Sequence, residues 1–556
     1  MKRDPRLTLS LGFATAAVLA LTQGPVGFVR DEGYYFTAAQ SYEAWLRALP
    51  ASLGQTEQYW SYNFEHPGLA KLLFALSHLV FTTWTRWLPD ALSWRLPAFV
   101  FAGVLTHCLA VLALQRSRRA AVLAPLLFWC AERTFFHGHL AAFDVPICAL
   151  FAAVAVAWLD ALESPSRRTG LWLAFTYGCA LAVKHNAWFL PPVLLIHALL
   201  SDFAGSAIPG SAIPDGAAPG GASAHVAIPD VAAPHGARDV ASPGGARASL
   251  STRLRTLAWL ALSPVVLFAG WPLLWHEPLR HLGDWIAFHT HHVHYAWEYL
   301  GRELRAPPFP IEYPLVVDAL ALPLPLVLLL TAAGVSLLAG FARRTLSPQR
   351  LLELGLAGAS VLPFMLRTTP IFGGLKHWLV FVALLTPEAA ALLVRAADLS
   401  GVRRAVPALA LATLLPGVWQ VAHLHPYGTS AYGELAGGVP GAASLGMQRQ
   451  YWSNNVTAVL PWLNAHCPPG ARVFFHEVNV ESYRAYQQSG ALRPDLRYAN
   501  GPADSDYAAL QWHREFRDRE PETWMAFGTH RPAFGLYLDE VPQVVVYARP
   551  GLPGAP

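Results

Sequence analysis

Apolar runs of about 17–25 residues recur along this chain, the length that crosses a bilayer's hydrocarbon core when wound as a helix. That feature constrains the fold more than any other, because runs of this length in such number cannot be covered in one water-soluble globule. Composition agrees: 54% of the 556 residues are hydrophobic and 14% charged, against about 25% charged in soluble domains. Twenty tryptophans and eighteen tyrosines suit long segments at the membrane–water interface, where such rings prefer to sit. The net charge of +4 is scattered and points to no nucleic-acid partner. Of the five cysteines, Cys108, Cys130, Cys148 and Cys179 fall in apolar runs and read as small packing residues. Cys467 stands alone in the polar C-terminal part and is expected to be exposed. No cysteine spacing suggests a metal site.

Basic residues set the expected orientation, since cytoplasmic loops are enriched in Lys and Arg. Lys2, Arg3 and Arg6 place the N-terminus inside. The run Leu7–Val29 is long enough to span and lacks a clean cleavage site, so it reads as a retained first helix, not a signal peptide. Arg116, Arg118 and Arg119 should lie inside again, which leaves one crossing, 92–114, between the two clusters. The segment 68–87 then reads as an amphipathic helix in the interface, carrying Lys71, Ser77, His78 and Arg86. Another interfacial helix is expected near 34–49. Further spans are expected near 120–136, 139–161, 171–184, 186–200, 255–275, 314–340, 351–367, 374–396 and 404–423. Arg343, Arg344, Arg350, Arg403 and Arg404 mark inside loops, and the count closes at eleven. The expected architecture is therefore mainly α, a polytopic bundle over 1–424, followed by an extracytoplasmic α/β domain over 425–556. Its first external loop runs from about 30 to 91 and its second over 276–313. The Gly-, Ala- and Pro-rich insertion 201–253 is too poor in large apolar residues to bury a core and reads as a disordered cytoplasmic loop. In the C-terminal part, 451–466 has helical spacing, while RVFFHEV and VPQVVVYA read as strands.

Several charged residues interrupt the apolar pattern. Asp31 and Glu32 stand where the first span ends; a carboxylate held in a partly dry cavity there could act as a general base. Lys184 interrupts an apolar stretch near a span end, at a cost on the order of 2.5–3.5 kcal/mol on insertion scales; snorkelling to the interface is the plain alternative. Asp144, followed by Val145-Pro146, fits a helix start and could also face a cavity. His289, His291, His292 and His294 cluster between Trp285 and Trp297, but their spacing defines no set of three or four metal ligands. This run reads as part of an amphipathic helix.

The order of these elements resembles the C-type (membrane-embedded) glycosyltransferases, in particular the protein O-mannosyltransferases and lipid A aminoarabinose transferases. DEGYYF after the first span resembles the Asp-Glu start of their first external loop. Phe64-Glu65-His66-Pro67-Gly68-Leu69-Ala70-Lys71-Leu72 resembles their HPPLGKL and EKPPL elements, with Gly68 in place of the second proline. Ser93-Trp94-Arg95-Leu96-Pro97 resembles the RLP that follows, and Ala142-Phe143-Asp144-Val145-Pro146 the D-x-P element. Gly374-Leu375-Lys376-His377 resembles the late basic pair. His425-Pro426-Tyr427 with Asn454-Asn455 resembles the opening of the external domain. The resemblance covers most of the chain apart from the insertion.

The resemblance implies an inverting transfer of a sugar from a polyprenyl-phosphate carrier to an acceptor hydroxyl at the outer face. Asp31 is then the expected base and Glu32 a positioning neighbour. Lys71, Lys184 and Lys376 would meet the phosphate, with Arg95 and His377 as second choices; Glu65, His66 and Asp144 complete the substrate site. The resemblance fixes no cofactor: relatives differ over metal need, so a divalent metal on Glu65 and Asp144 stays open. The acceptor could be a protein, lipid A or a surface glycan. Two other readings compete: a lipid or polyisoprenoid transporter, which should show an internal repeat, and a non-catalytic glycan-binding relative. High Pro and Ala content suggests a GC-rich bacterial genome, hence the inner membrane.

Overall fold

In the computed structural model, residues 2–202, 248–402, 404–513 and 517–556 are described. Most of the insertion 201–253 and Arg403 lie outside the described residues, so the expectation of a disordered loop is not addressed there.

Among the described residues the chain is mainly helical, and each of the eleven expected spans coincides with helix. Seven helices are long and apolar enough to cross a membrane: Pro5–Thr22, Asp90–Leu114, Asp144–Glu163, Leu250–Gly270, Leu324–Ala342, Gly374–Leu399 and Ala405–Leu424. The other four expected spans are shorter: Arg118–Trp129, Arg167–Leu181, His185–Leu200 and Pro348–Val361. The expected span 314–340 breaks where Leu322 and Pro323 are extended, giving Tyr313–Ala321 and Leu324–Ala342. Segment 68–87 forms Leu69–His78, continued as a π-helix to Trp84. At sixteen residues Leu69–Trp84 falls short of the span lengths, and its end is marked by exposed Trp84 and Trp87. The expected interfacial helix near 34–49 is Arg30–Arg47.

Helices Pro5–Thr22 and Asp90–Leu114 cross at two glycines. A methyl group on Gly12 would lie 2.5 Å from the Gly103 carbonyl oxygen, and one on Gly103 would lie 2.8 Å from that of Gly12. Small residues of this kind let two backbones meet where apolar burial gives no drive for helices to associate. Next to the crossing, Thr106 donates to Thr15 at 3.0 Å and accepts from Trp129 Nε1 at 2.8 Å.

One end of the bundle is tied by a buried ion network. Arg116 bonds Glu353 and Glu388, Arg350 donates to Glu388 at 2.6 Å, and Ser336 donates to the same carboxylate at 2.9 Å. Arg116, expected as a loop charge, thus joins the helices Asp90–Leu114, Pro348–Val361 and Leu379–Leu399.

The opposite end carries the segments between helices. Residues 276–313 contain the helix Pro278–Thr290 and a hairpin of β1 (Trp297–Tyr299) and β2 (Arg302–Leu304). The helix stops at Thr290, so His291, His292 and His294 lie beyond it, contrary to the expectation of one amphipathic helix across the histidine run. After Leu424 the chain forms a mixed sheet of β3 (Arg472–Phe475), β4 (Arg497–Ala499), β5 (Tyr507–Gln511), β6 (Phe534–Leu538) and β7 (Val541–Ala548). The order is β4-β3-β5-β7-β6, with β3 parallel to β4 and β5, and β7 antiparallel to β5 and β6. Segment 451–466, expected as one helix, is a 3-10 turn Asn454–Val459 leading into Leu460–His466. Cys467 is buried, not exposed, and all five cysteines are free.

Replacing Gly12 with leucine is expected to force the first two long helices apart, costing roughly 1–3 kcal/mol. Thermal melts of the detergent-solubilised protein should shift down by several degrees. An unchanged melt would mean that the two helices do not meet at this point.

Candidate active site

The site grows from the start of helix Arg30–Arg47. Glu32 is fully buried and forms a two-pronged pair with Arg95: Nε to Oε1 at 2.8 Å and Nη2 to Oε2 at 2.8 Å. The same carboxylate accepts from the backbone N–H of Ala141 at 2.9 Å and of Val29 at 3.1 Å. Arg95 also donates to the carbonyls of Val26 at 3.0 Å and Gly27 at 2.8 Å. Four of its five N–H donors are therefore spent inside the protein, so Arg95 braces the site from within. Lys71 is spent in the same way. Its buried ammonium donates to the Asn63 carbonyl at 2.5 Å, the Asn63 side chain at 3.2 Å and the His66 carbonyl at 3.0 Å. An ammonium has three N–H donors, and all three hold the Asn63–His66 turn.

With Glu32 turned inward, Asp31 stays part-exposed. Its Oδ2 lies 3.7 Å from the buried ammonium of Lys376. Nearby, Asp144 and Lys184 form a second buried pair at 2.6 Å. Tyr35, one helical turn after Asp31, joins the two pairs. Its ring stacks on Phe143 at 4.1 Å and meets His66 edge-on at 5.7 Å. Burial pushes its phenol well above the usual tyrosine range, helped by the negative charges of Asp31, Asp144 and Glu65. Three carboxylates from three separate sequence motifs thus surround one ring.

Lys376 packs under the indole of Trp452, with Nζ 3.8 Å from the ring centroid. Trp452 and Ser453 have left-handed φ of 67° and 57°, costly for residues other than glycine. The conformation is held because the Trp452 carbonyl accepts from Arg30 N–H at 2.9 Å and Ser453 donates to the Glu477 carbonyl at 3.0 Å. More ties join the C-terminal region to this corner. Arg30 pairs with Glu477 at 3.1 Å, and Asn479 donates to the Arg30 carbonyl, Ser482 to that of Val29 and Tyr486 to that of Phe28. Gly33 makes the approach feasible, since a methyl group there would lie 2.5 Å from Ser482 Oγ.

A histidine wall closes the other side. His289 and His185 have ring centroids 3.7 Å apart, with His66 at 5.9 Å from His289. His289 Nε2 meets the Glu65 carbonyl at 2.8 Å, while the Glu65 side chain accepts from Asn63 at 2.5 Å. Burial lowers His66 well below the ordinary range, assisted by Lys71, His289, Lys184 and His185. Burial also holds His137 down to about 3, against the opposing pull of Asp144. His137 meets the Tyr451 hydroxyl at 3.1 Å. His377 is half-buried beside Lys376 between Phe364 and Phe372, and among the described residues its Nε2 has no hydrogen-bond partner.

Of the expected site residues, Asp31, Glu65, His66, Asp144, Lys184, Lys376 and His377 gather in this cluster, whereas Glu32, Arg95 and Lys71 form its frame. Tyr35, His137 and Trp452 were not expected. Tyr35 had a signal in its spacing, since residues four apart share a helix face; Trp452 and His137 had none. Among the described residues, Glu57, Glu277 and His281 also place possible metal-ligand atoms within 4.8 Å of one another. Arg280 pairs with both carboxylates, which gives the group an internal cation.

No family model matches the sequence, and no curated protein matches it. Among solved structures, ArnT from Cupriavidus metallidurans in the apo state superposes with a TM-score of 0.50, at 14% identity over 97% of each chain. The archaeal oligosaccharyltransferase AglB from Archaeoglobus fulgidus, solved with an inhibitory peptide and a dolichol-phosphate, is matched at a TM-score of 0.44 and 10% identity. That match covers 87% of this chain and 64% of the other. The likeness to ArnT is one of fold: a polytopic helical bundle followed by a small C-terminal sheet. At this level the chain shares the fold of ArnT, mainly helical with a small C-terminal sheet, as its sequence led one to expect.

Replacing Arg95 with alanine leaves Glu32 buried without its counter-charge, a loss of about 3–5 kcal/mol for a buried pair. The variant should melt far below the parent or fail to accumulate; a parent-like melt would mean that Glu32 is not charged or not buried. A second expectation concerns pH. Burial pushes His289 down to about 4, below the roughly 6.5 of an exposed imidazole. The unfolded chain therefore binds this proton first as pH falls, so stability should decline from about pH 6.5 toward 4. Melts across that range should show the slope, reduced in His289→Gln. An equal slope in the variant would place the titration elsewhere.

Proposed function

We propose that this chain moves a sugar from a polyprenyl-phosphate carrier to an acceptor hydroxyl with inversion at the anomeric carbon. The observation that carries the reading is Lys376: a buried ammonium whose nearest carboxylate, Asp31, is 3.7 Å away and whose other face is an indole. A cation left so loosely paired is suited to receive an anion, and the carboxylate beside it is suited to take a proton. Asp31 removes the acceptor's hydroxyl proton. That oxygen attacks the anomeric carbon, the bond from carbon to the phosphate oxygen breaks, and the electron pair leaves with the polyprenyl phosphate. Lys376 and Lys184 hold the charge that develops on the phosphate. Asp144 orients Lys184, while Glu65, His66 and His377 border the donor. Glu32, Arg95 and Lys71 position this set without touching substrate.

In this reading, residues 1–424 form the transferase bundle, and 425–556 lie extracytoplasmically over the site and help select the acceptor. Lysine and arginine placement supports that orientation, with the Asp31 end outside and the bacterial inner membrane as the location. The sugar would be a mannose-like hexose or an aminoarabinose-like pentose. The acceptor would be a protein, lipid A or another surface glycan. The chemistry needs no general acid, because phosphate is already a good leaving group. Glu65 could take part in holding a divalent ion, whereas the carboxylate of Asp144 is already paired with Lys184.

Membranes carrying the parent or Asp31→Asn, supplied separately with radiolabelled polyprenyl-phosphate mannose and polyprenyl-phosphate aminoarabinose, test the reading. Transfer from one donor should fall by about 10²–10⁴-fold in the variant, the usual range for losing a general base. Lys376→Met should also lose transfer. Undiminished transfer in Asp31→Asn would remove Asp31 as base; no transfer from either donor by the parent would shift weight to another sugar, transport or glycan binding.

A further inference from the structure

A cavity of about 440 Å³ lies apart from the transfer site, at the same end of the bundle, between the β1–β2 hairpin and the segments on either side of Phe309 and Arg367. Arg302 and Arg367, both exposed to solvent, line it, and among the described residues neither forms an ion pair or a side-chain hydrogen bond. Glu312 lines the same cavity without bridging to either guanidinium. Tyr299 also lines it and is 2% exposed. Its buried hydroxyl lies near Glu312 but makes no hydrogen bond of ordinary geometry. Burial and that neighbouring carboxylate push the phenol up to about 12, so it keeps its proton and stays a donor. Two unpaired cations, one buried donor and one carboxylate therefore surround a volume large enough for a small polar headgroup.

Apolar side chains stand beside these groups. Leu300 is 43% exposed, Ile311 51% and Leu366 59%. The first two line the cavity and the third precedes Arg367. In a bundle of membrane-crossing helices, apolar residues left open at a helix end face the lipid boundary. The combination of planar cations, hydrogen-bonding groups and an adjoining apolar surface is what an anionic amphiphile requires. We propose that this cavity binds the phosphate-bearing headgroup of a membrane amphiphile. Arg302 and Arg367 take the phosphate oxygens and Tyr299 donates to the headgroup, against the opposing charge of Glu312. The acyl chains lie along Leu300, Ile311 and Leu366.

The cavity is coupled to the transfer site through the hairpin. Trp297 in β1 packs on Tyr451 at 5.7 Å between ring centroids and also reaches Gly374. Tyr451 adjoins Trp452, and Gly374 stands two residues before Lys376. A lipid held here would brace the hairpin against the residues that cover Lys376. The proposal stands whether or not the transfer reaction is the one given above, because it is read from lipid retention alone.

The test uses full-length protein purified in detergent and incubated with equal amounts of phosphatidylglycerol and phosphatidylcholine, with bound lipid counted by native mass spectrometry. The parent should retain phosphatidylglycerol in preference. Arg302→Gln/Arg367→Gln should lower that retention by about ten-fold or more, because it removes two charge-assisted hydrogen-bonding groups. Arg305→Gln, whose parent residue pairs with Glu303 outside the cavity, should behave as the parent. Glu312→Gln removes a negative charge from the wall and should raise retention, an outcome that misfolding would not produce. Equal retention in the double variant, no lipid preference in the parent, or lowered retention in Glu312→Gln would each overturn the proposal. Complete displacement of the lipid by millimolar inorganic phosphate would overturn the assignment to an amphiphile and leave a site for free phosphate.

Discussion

The ion pair between Glu32 and Arg95 sets the geometry on which the candidate site depends. Both charges are removed from water, so each requires the other, and the remaining valences are taken by the Val26 and Gly27 carbonyls and the Val29 and Ala141 amides. These contacts bind the exit of the first helix, the start of the Asp90–Leu114 helix and the turn before Asp144 at one point. Adjacent helical residues point about 100° apart. With Glu32 locked into the core, Asp31 is therefore turned away from it, toward Lys376. An acidic pair that looks equivalent in sequence is divided into one residue that builds and one that is available for chemistry.

Charge is distributed in different ways at the two ends of the bundle. At the Arg116 end, Glu353 and Glu388 are saturated by Arg116, Arg350, Ser336 and Gln349. Such a network fixes helix positions and leaves nothing to bind. At the Asp31 end, Asp144 and Lys184 satisfy one another, but Asp31 and Lys376 stand 3.7 Å apart with an indole over the ammonium. The Trp452 turn that brings the indole there carries two consecutive left-handed residues and is held by Arg30 and Glu477. Backbone strain of this kind persists only where surrounding contacts over-determine it. It is maintained at the place where the C-terminal region meets the loosely paired lysine.

Much of this was legible in the residues alone. Hydropathy located the helices, and the motifs around Asp31, Glu65, Asp144 and Lys376 named groups that the fold then gathers around Tyr35. Lys71 and Arg95 show where such reading stops. A lysine or arginine beside a motif announces a cation, but not whether its N–H groups are already taken; here Asn63, His66, Glu32 and two carbonyls take them. Trp452 was missed because its position over Lys376 comes from a turn whose φ values no local pattern signals. The histidine run was misread as one helix because apolar spacing continues past Thr290, while the backbone turns away to form the β1–β2 hairpin.

The sequence by itself determined that this is a chain of membrane-crossing helices with a C-terminal α/β region, and which charged residues interrupt its apolar runs. Those properties are local: the transfer energy of a helix sums over some twenty neighbouring residues, and a strand's alternation over fewer than ten. Which carboxylate meets which cation was decided by tertiary structure alone. Glu32 finds Arg95 63 residues away, Arg30 finds Glu477 447 residues away, and Lys184 finds Asp144 across a 40-residue separation. Each choice is set by how helices cross and where loops close, at Gly12 against Gly103 and Gly33 against Ser482. Charge and hydropathy are carried by single residues, whereas the pairing of a buried charge is a property of the packed whole.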